Sequence, residues 1–429
     1  MTNPARTSLP IAIACGGTGG HLFPGLAVAE QLLQRGCPVM QLISPKEVDQ
    51  KAVKEGAGME VVNLPAVALK RGREIAFFRG FFQSYRAAKR LFQLRPPQAA
   101  LAMGGFTSAP PILAARRFGA RTFLHESNTI PGRANRWLSW VVHGAFVGFP
   151  SAAVRLHHRC VTVTGTPVRP EFQARDAALC RTALGFDPSR PVVLVMGGSQ
   201  GASGINDRVI GALPLLAKQW PNLQWLHLTG PSDAAKVRQA YAALKLKAVV
   251  HPFFARMELL LGAATVAVCR SGASSLAELA AMRVPAVLVP YPAAKDNHQF
   301  HNARALEATG AARLLEQQSA TPETLARLLG DLVDQPMVRE KVQSALAQWH
   351  TPQAAQRIAD VILEAVGVEV CKVGGANLPS AASSGSPAGD SSNNSKGSSP
   401  SLGCRLQIGD PAPIPLDETS WRLEHPAWS

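Results

Sequence analysis

Apolar residues along this chain come in short unbroken runs, and the stretches between them have the spacing of helices. "IAIAC" (Ile11 to Cys15) is followed by "LFPGLAVAEQLLQRG", "VMQLIS", a helix through Arg86 to Leu94, "AALAMGG", "ILAARRFG" and "RTFLHE". Runs apolar on both faces, alternating with amphipathic helices, predict βαβ units and a parallel sheet. The order restarts at "PVVLVMGGSQGASGINDRVIGALPLLAK" and continues through "LQWLHLTG", "AVVHPFF", "VAVCRSGASSLAELAAM" and "PAVLVPYP". Two Rossmann-like α/β domains are therefore expected. Their junction falls near "VTGTPVRPEF" (Val163 to Phe172), where prolines and a glycine interrupt the pattern. The expected boundaries are 1–167 and 168–345, followed by a C-terminal helix over 346–370. From 371 to 429 the chain is rich in Ser, Gly and Pro. Such a composition buries too little apolar surface to offset its ordering entropy, so a disordered tail is expected.

Charge changes the picture of partners. The 44 Lys and Arg outnumber the 29 Asp and Glu for a net +15, which favours polyanions: nucleic acid, an anionic membrane or phosphorylated substrates. The chain carries no recognised nucleic-acid reading motif, so no nucleic-acid partner is expected. No apolar run reaches the about 18 residues of a membrane span, and "MTNPARTSLP" does not resemble a signal peptide. Any membrane contact should be peripheral. Seven scattered cysteines without C-x-x-C point to neither a disulfide framework nor zinc, and to a reducing compartment. One stretch, "LKRGREIAFFRGFFQSYRAAKRLFQLRP", combines Lys70, Arg71, Arg73, Arg79, Arg86, Lys89, Arg90 and Arg95 with Phe77, Phe78, Phe81 and Phe82. That mixture suits an anionic membrane surface, with the aromatics in the headgroup boundary. The alternative is that some of these phenylalanines are core.

Both halves carry a glycine-rich strand-to-helix turn, "CGGTGGH" and "GGSQGAS", whose bare backbone lets N–H groups approach phosphate oxygens. The dinucleotide fingerprint fails because Leu22 stands where its third glycine is required, and no phosphate-loop motif occurs. No cofactor is expected. In "CRSGASSLAELAAM", Ser274 or Ser275 is expected as N-cap, and Glu278 one turn further on can accept from a ribose diol. "YPAAKDNHQFHNA" crowds Lys295, Asp296, Asn297, His298, Gln299 and Asn302 after a buried strand, a set of hydrogen-bonding groups suited to a sugar. The usual D-x-D pair for a metal on a nucleotide diphosphate is missing, so no metal site is expected.

In this order, "GGTGGHLFPGLAVA", "MGGFTSAPPILAA", "HESNTIPGRANRWL", "GTPVR", "MGGSQGASGIN", "CRSGASSLAELA" and "KDNHQFHNA" resemble the MurG family of peptidoglycan N-acetylglucosaminyltransferases over roughly residues 8 to 365. The resemblance implies a GT-B fold, two Rossmann-like domains facing a central cleft. It implies inverting transfer of GlcNAc from UDP-GlcNAc to the C4 hydroxyl of MurNAc in undecaprenyl-pyrophosphoryl-MurNAc-pentapeptide (lipid I). The implied location is peripheral, on the cytoplasmic face of the bacterial plasma membrane. It places Ser199 and Arg169 at the diphosphate, Phe254 at the uracil, and Ala273, Ser274, Ser275, Leu276, Ala277 and Glu278 along the nucleotide. Thr18, Gly19, Gly20, Asn128 and Gln299 would complete the sugar pocket. Departures from the family's usual pattern fall at Phe106, Ser108 to Pro111 and His298, outside the core donor motifs.

An inverting transfer requires a base for the acceptor hydroxyl. His21 is the first candidate, because the positive end of a helix disfavours imidazolium and keeps the ring able to take a proton. Its alternative role is to position the acceptor pyrophosphate. Glu126 is the second candidate base. Another UDP-sugar transferase or epimerase of the same fold, or a non-catalytic UDP-sugar-binding protein of the membrane surface, are the rival functions.

Overall fold

The computed structural model describes residues 10–16, 19–45, 59–65, 74–198 and 201–368. Thr18, Lys70, Arg71, Arg73, Ser199 and the 371–429 tail lie outside the described residues. The first sheet comprises β1 (Ile11–Ala14), β2 (Val39–Ile43), β3 (Glu60–Asn63), β4 (Ala99–Ala102), β5 (Arg121–Glu126), β6 (Gly144–Val147) and β7 (Val161–Val163). Its order is β3-β2-β1-β4-β5-β6-β7, and every pairing is parallel. The second comprises β8 (Val192–Met196), β9 (Gln224–Leu228), β10 (Ala248–His251), β11 (Val266–Cys269), β12 (Ala286–Leu288) and β13 (Arg313–Leu314), ordered β10-β9-β8-β11-β12-β13 and again all parallel. The central strands β1, β4, β8 and β11 are buried along their whole length, as covering by helices on both faces demands. The edge strand β3, largely exposed, has no such apolar run to announce it.

Each sheet has one place where the strand order turns back, between β1 and β4 and between β8 and β11. In open α/β sheets the crevice outside the carboxyl ends of such strands is where ligands bind. The turns after β1, β4, β8 and β11 all contribute to the site described below.

Two helices depart from the sequence reading. Helix Glu74–Leu94 begins well before Arg86, because Gly80, Ser84, Ala88 and Phe92 form one buried stripe at a spacing of four. The adjoining Phe/Arg mixture masks that period in the sequence. The single helix expected over 346–370 is instead two. Helix Pro336–Trp349 packs Val342 and Leu346 into the second domain, whereas helix Ala354–Ala365 crosses back to the first. There Ile358, Ala359, Ile362 and Leu363 join Leu22, Val28 and Leu32 in one core, and Arg35 pairs with Asp360 at 3.0 Å. Where the chain crosses, Gly165 has φ +80°, and a Cβ on it would lie 1.9 Å from Thr351 Oγ1. Only glycine lets the two interdomain strands of chain pass so closely. Cys15, Cys37, Cys180 and Cys269 are free and buried.

Candidate active site

One cavity of about 1070 Å³ separates the domains and takes its walls from both. Gly19, Gly20 and His21 follow β1, and Gly105 follows β4; Gly197 and Gly198 follow β8, and Arg270 and Gly272 follow β11. Both strand-order reversals thus open on the same space.

On the C-terminal side, helix Ala273–Met282 starts from Gly272, which is extended (φ −66°, ψ 137°) and offers no side-chain cap. This corrects the expectation of a serine N-cap. Ser274 and Ser275 lie inside the first turn, so the amide hydrogens at the helix start remain unclaimed by a cap and an anion can take them. Ala273, Ser274, Ser275 and Glu278 line the cavity. Leu276 instead packs in the domain core, and Ala277 is not part of the cavity wall. Burial pushes the Glu278 carboxyl up to about 7, with the nearby Arg169 cation opposing the shift and Glu171 adding to it. Arg169 lies over the rings of Phe23 and Phe172, at 4.6 and 5.1 Å, and its Nη1 donates to Glu171 Oε1 at 2.9 Å. Its Nε is buried without a hydrogen-bond partner. That unsatisfied donor on a cavity-lining cation is suited to a phosphate oxygen.

Phe254, with Leu228, Pro252 and Phe253, closes the end of the cavity beyond β9 and β10. Gln299 also lines it, its Oε1 accepting from the Tyr291 N–H at 3.0 Å. Arg270, which sequence reasoning missed, is buried and donates to the carbonyls of Val289 and Pro290 at 3.0 and 2.9 Å, and to Gln317 Oε1 at 2.7 Å. It ties the turn after β11 to the segment that carries Tyr291.

On the N-terminal side, His21 sits in the first turn of helix Gly19–Gln34. Its ring lies against Gly104, where a Cβ would come within 2.7 Å of Cε1 and 2.8 Å of Nδ1. Gly104 and Gly105 take φ +110° and +78°, so the turn after β4 is a glycine wall for this imidazole. The same helix contains Pro24, which has no N–H to give the Gly20 carbonyl one turn back. That carbonyl accepts from Ser274 Oγ of the other domain at 3.0 Å.

Glu126 also lines the cavity, but its oxygens are already engaged. Oε1 accepts from Asn128 N and Nδ2, and Oε2 from Gly132 N and Asn135 Nδ2, all at 2.9 to 3.0 Å. A carboxylate holding four N–H donors shapes the loop that follows β5. Asn128, at the cavity wall, is fixed by Glu126 on one side and by Asn302 Nδ2 on the other, at 3.0 Å.

The cavity continues to an apolar end lined by Phe77, Phe78, Phe81, Phe82, Phe106 and Trp137. Phe77 touches Phe78, Phe81 and Phe106 at centroid distances of 5.7 to 6.4 Å. The four helix phenylalanines do not share one environment. Phe78 and Phe82 are 58% and 59% exposed, while Phe77 and Phe81 are half-buried and Phe81 packs on the domain core. Among the described residues no helix is long and apolar enough to cross a membrane, and no His/Cys/Asp/Glu group is placed to hold a metal.

Two Rossmann-like domains that face each other across a cleft, with an uncapped helix start on the C-terminal side, are the architecture of the GT-B class of nucleotide-sugar enzymes. Residues 11–147 match the glycosyltransferase family 28 N-terminal domain and residues 192–358 its C-terminal domain. The chain belongs to glycosyltransferase family 28, within the MurG group. It is 38% identical over 363 residues to the UDP-N-acetylglucosamine--N-acetylmuramyl-(pentapeptide) pyrophosphoryl-undecaprenol N-acetylglucosamine transferase of Anaeromyxobacter sp. (strain K), covering 82% of this chain and 92% of that protein. Identity to the protein of the same name from Xanthomonas axonopodis pv. citri (strain 306) is 37% over 369 residues, 85% of this chain and 84% of the relative. Among solved structures, Acinetobacter baumannii MurG superposes with a TM-score of 0.63 at 28% identity, over 82% of this chain and 99% of that one. The S. aureus MnaA-UDP structure, 13% identical with a TM-score of 0.61 over 84% and 98% of the two chains, shares the fold.

Proposed function

We propose that this protein transfers GlcNAc from UDP-GlcNAc to the C4 hydroxyl of MurNAc in lipid I, with inversion, producing lipid II for the cell wall. The observation that carries this reading is the continuity of the cavity. It runs from the uncapped helix start at Gly272, past His21, to an aromatic-lined end suited to a lipid-linked acceptor. UDP-GlcNAc lies with its uracil toward Phe254, its ribose on Glu278, and its diphosphate at the helix starts and Arg169; Gln299 and the Gly19–Gly20 turn face the sugar. His21 takes the proton from the acceptor hydroxyl as the anomeric carbon becomes cationic. Glu126, saturated with donors, orders the loop that presents Asn128. The departing diphosphate is stabilised by preorganised N–H groups and by the guanidinium.

The exposed Phe78 and Phe82, with Arg79 and Arg86 beside them, rest on the anionic inner leaflet of the plasma membrane, a peripheral attachment on its cytoplasmic face. Mass spectrometry of UDP-GlcNAc incubated with a lipid I analogue and the protein tests the reading. A product heavier than the acceptor by one GlcNAc, with release of UDP, supports it. Conversion of the donor alone into an isomer would identify an epimerase, and no turnover would leave a binding protein.

A further inference from the structure

A single side chain links both substrate segments across the domain interface. Asn302, in helix His298–Ala308 of the C-terminal domain, is fully buried. Its Oδ1 accepts from the N–H and the hydroxyl of Thr129, each at 2.9 Å, and its Nδ2 donates to Asn128 Oδ1 at 3.0 Å and to the Ser271 carbonyl at 3.1 Å. An asparagine amide offers two protons and two lone pairs, and all four are used. Asn128 and Thr129 follow Glu126 on the first domain. Ser271 immediately precedes the cap residue of helix Ala273–Met282, and its hydroxyl donates to the Gln299 carbonyl at 2.7 Å.

We infer that Asn302 is a positioning residue that registers domain closure simultaneously in the donor turn and in the loop bearing Asn128. Its bonds to Thr129 and Asn128 cross the interface, so they form only when the domains meet. In the open cleft water satisfies these groups. In the closed, water-free interior any one left unmatched carries a desolvation cost, so the contacts form together or not at all. Closure therefore fixes Asn128 against the donor side without Asn302 lining the cavity. The kinetic part of this inference rests on the glycosyl-transfer reading; the conformational part does not.

The test uses the full chain and four single variants. Asn302→Ala removes all four bonds, and Asn302→Asp keeps the acceptor but loses both donors. Thr129→Val deletes one hydroxyl while keeping shape, and Thr129→Ser keeps the hydroxyl. Asn302→Ala and Asn302→Asp should lower kcat about 10- to 100-fold, with calorimetric UDP-GlcNAc affinity within about 3-fold of the parent. Thr129→Val should lose activity, Thr129→Ser should retain it, and Thr129→Val with Asn302→Ala should be no worse than Asn302→Ala alone, because both act through one contact. Small-angle scattering at saturating UDP should give a larger radius of gyration for Asn302→Ala than for the parent. Parental kcat in Asn302→Ala, strictly additive losses in the double variant, or identical radii would overturn the inference. Should the parent itself fail to transfer GlcNAc, the functional reading falls, and the scattering comparison still decides the latch.

Discussion

The position of His21 is set by side chains that are missing. A methyl group on Gly104 would overlap the imidazole, and the positive φ there already excludes most residues. His21→Ala should therefore lower kcat about 10²- to 10⁴-fold with donor affinity little changed. Gly104→Ala, which displaces the ring without deleting it, should reproduce much of that loss; a Gly104→Ala enzyme with parental kcat would show that the ring is not held from this side. Glu278 supplies a pH signature. Burial raises its folded carboxyl from the ordinary 4.5 to about 7, so the unfolded chain ionises first. Below about pH 4.5 the group is protonated in both states and costs nothing; as pH rises toward 7, stability falls at a slope approaching about 1.4 kcal/mol per pH unit. Thermal denaturation of Glu278→Gln against the parent should show that slope removed, and parallel profiles would place Glu278 in a more polar setting than its burial implies. Glu278→Ala should also weaken UDP-GlcNAc binding by about 1.5 to 3 kcal/mol, the loss of hydrogen bonds to a charged group. Both residues were legible in the sequence, one beside a glycine loop and one a turn into a helix. Asn302, expected among the groups suited to a sugar, instead lies behind the cavity wall, and Gly104 had no expected role; their partners, Thr129 and His21, lie far away in the chain and only the strand order brings them together.

Helix Glu74–Leu94 serves two environments with one sequence. Its stripe of Gly80, Ser84, Ala88 and Phe92 is buried, and Phe77 and Phe81 lean from its flank toward Phe106 and the cavity; the remaining face carries Ile75, Phe78, Arg79, Phe82 and Arg86 to solvent. Residue composition alone could not separate these roles, since phenylalanine occurs on both sides. The separation decides which substitutions are informative. Changing Phe78 and Phe82 to Ser together with Arg79 and Arg86 to Glu leaves the core stripe intact, whereas Phe81 packs on the core and would confound the result. The fourfold variant should fail to sediment with anionic vesicles at physiological salt yet bind UDP-GlcNAc like the parent, because each cation near the membrane contributes about 1 kcal/mol and the aromatics add apolar burial. Vesicle binding that survives in the folded variant would move the membrane face elsewhere. Helix Ala273–Met282 teaches a related lesson. Serine is a strong N-cap former, yet a helix whose start faces a ligand gains by leaving its N–H groups uncapped, and glycine at 272 does that.

The alternation of apolar runs made two parallel-sheet domains legible, but it could not show that the chain's last described helix belongs to the first domain. Helix Ala354–Ala365 fills the groove beside helix Gly19–Gln34, so the N-terminal domain is completed by residues more than three hundred positions later. The domains are consequently joined twice, at the Val163–Phe172 segment and at the crossing near Thr351, where Gly165 and Trp349 pack close to the interface. Hinging about two connections would open and close the cleft, the motion that the inferred Asn302 contacts would register. They also make the two ends of the chain unequal in their contribution to folding. Ile358→Ala should cost about 2 to 5 kcal/mol by leaving a cavity in the N-terminal core, and ending the chain before Ala354 should unfold that domain. Ending it after Gly375 should leave the melting temperature and transfer activity unchanged, since the Ser/Gly/Pro-rich composition beyond it cannot supply a core. A large fall in melting temperature for that second truncation would mean that Trp421 or Trp428 contributes packing to the folded domains.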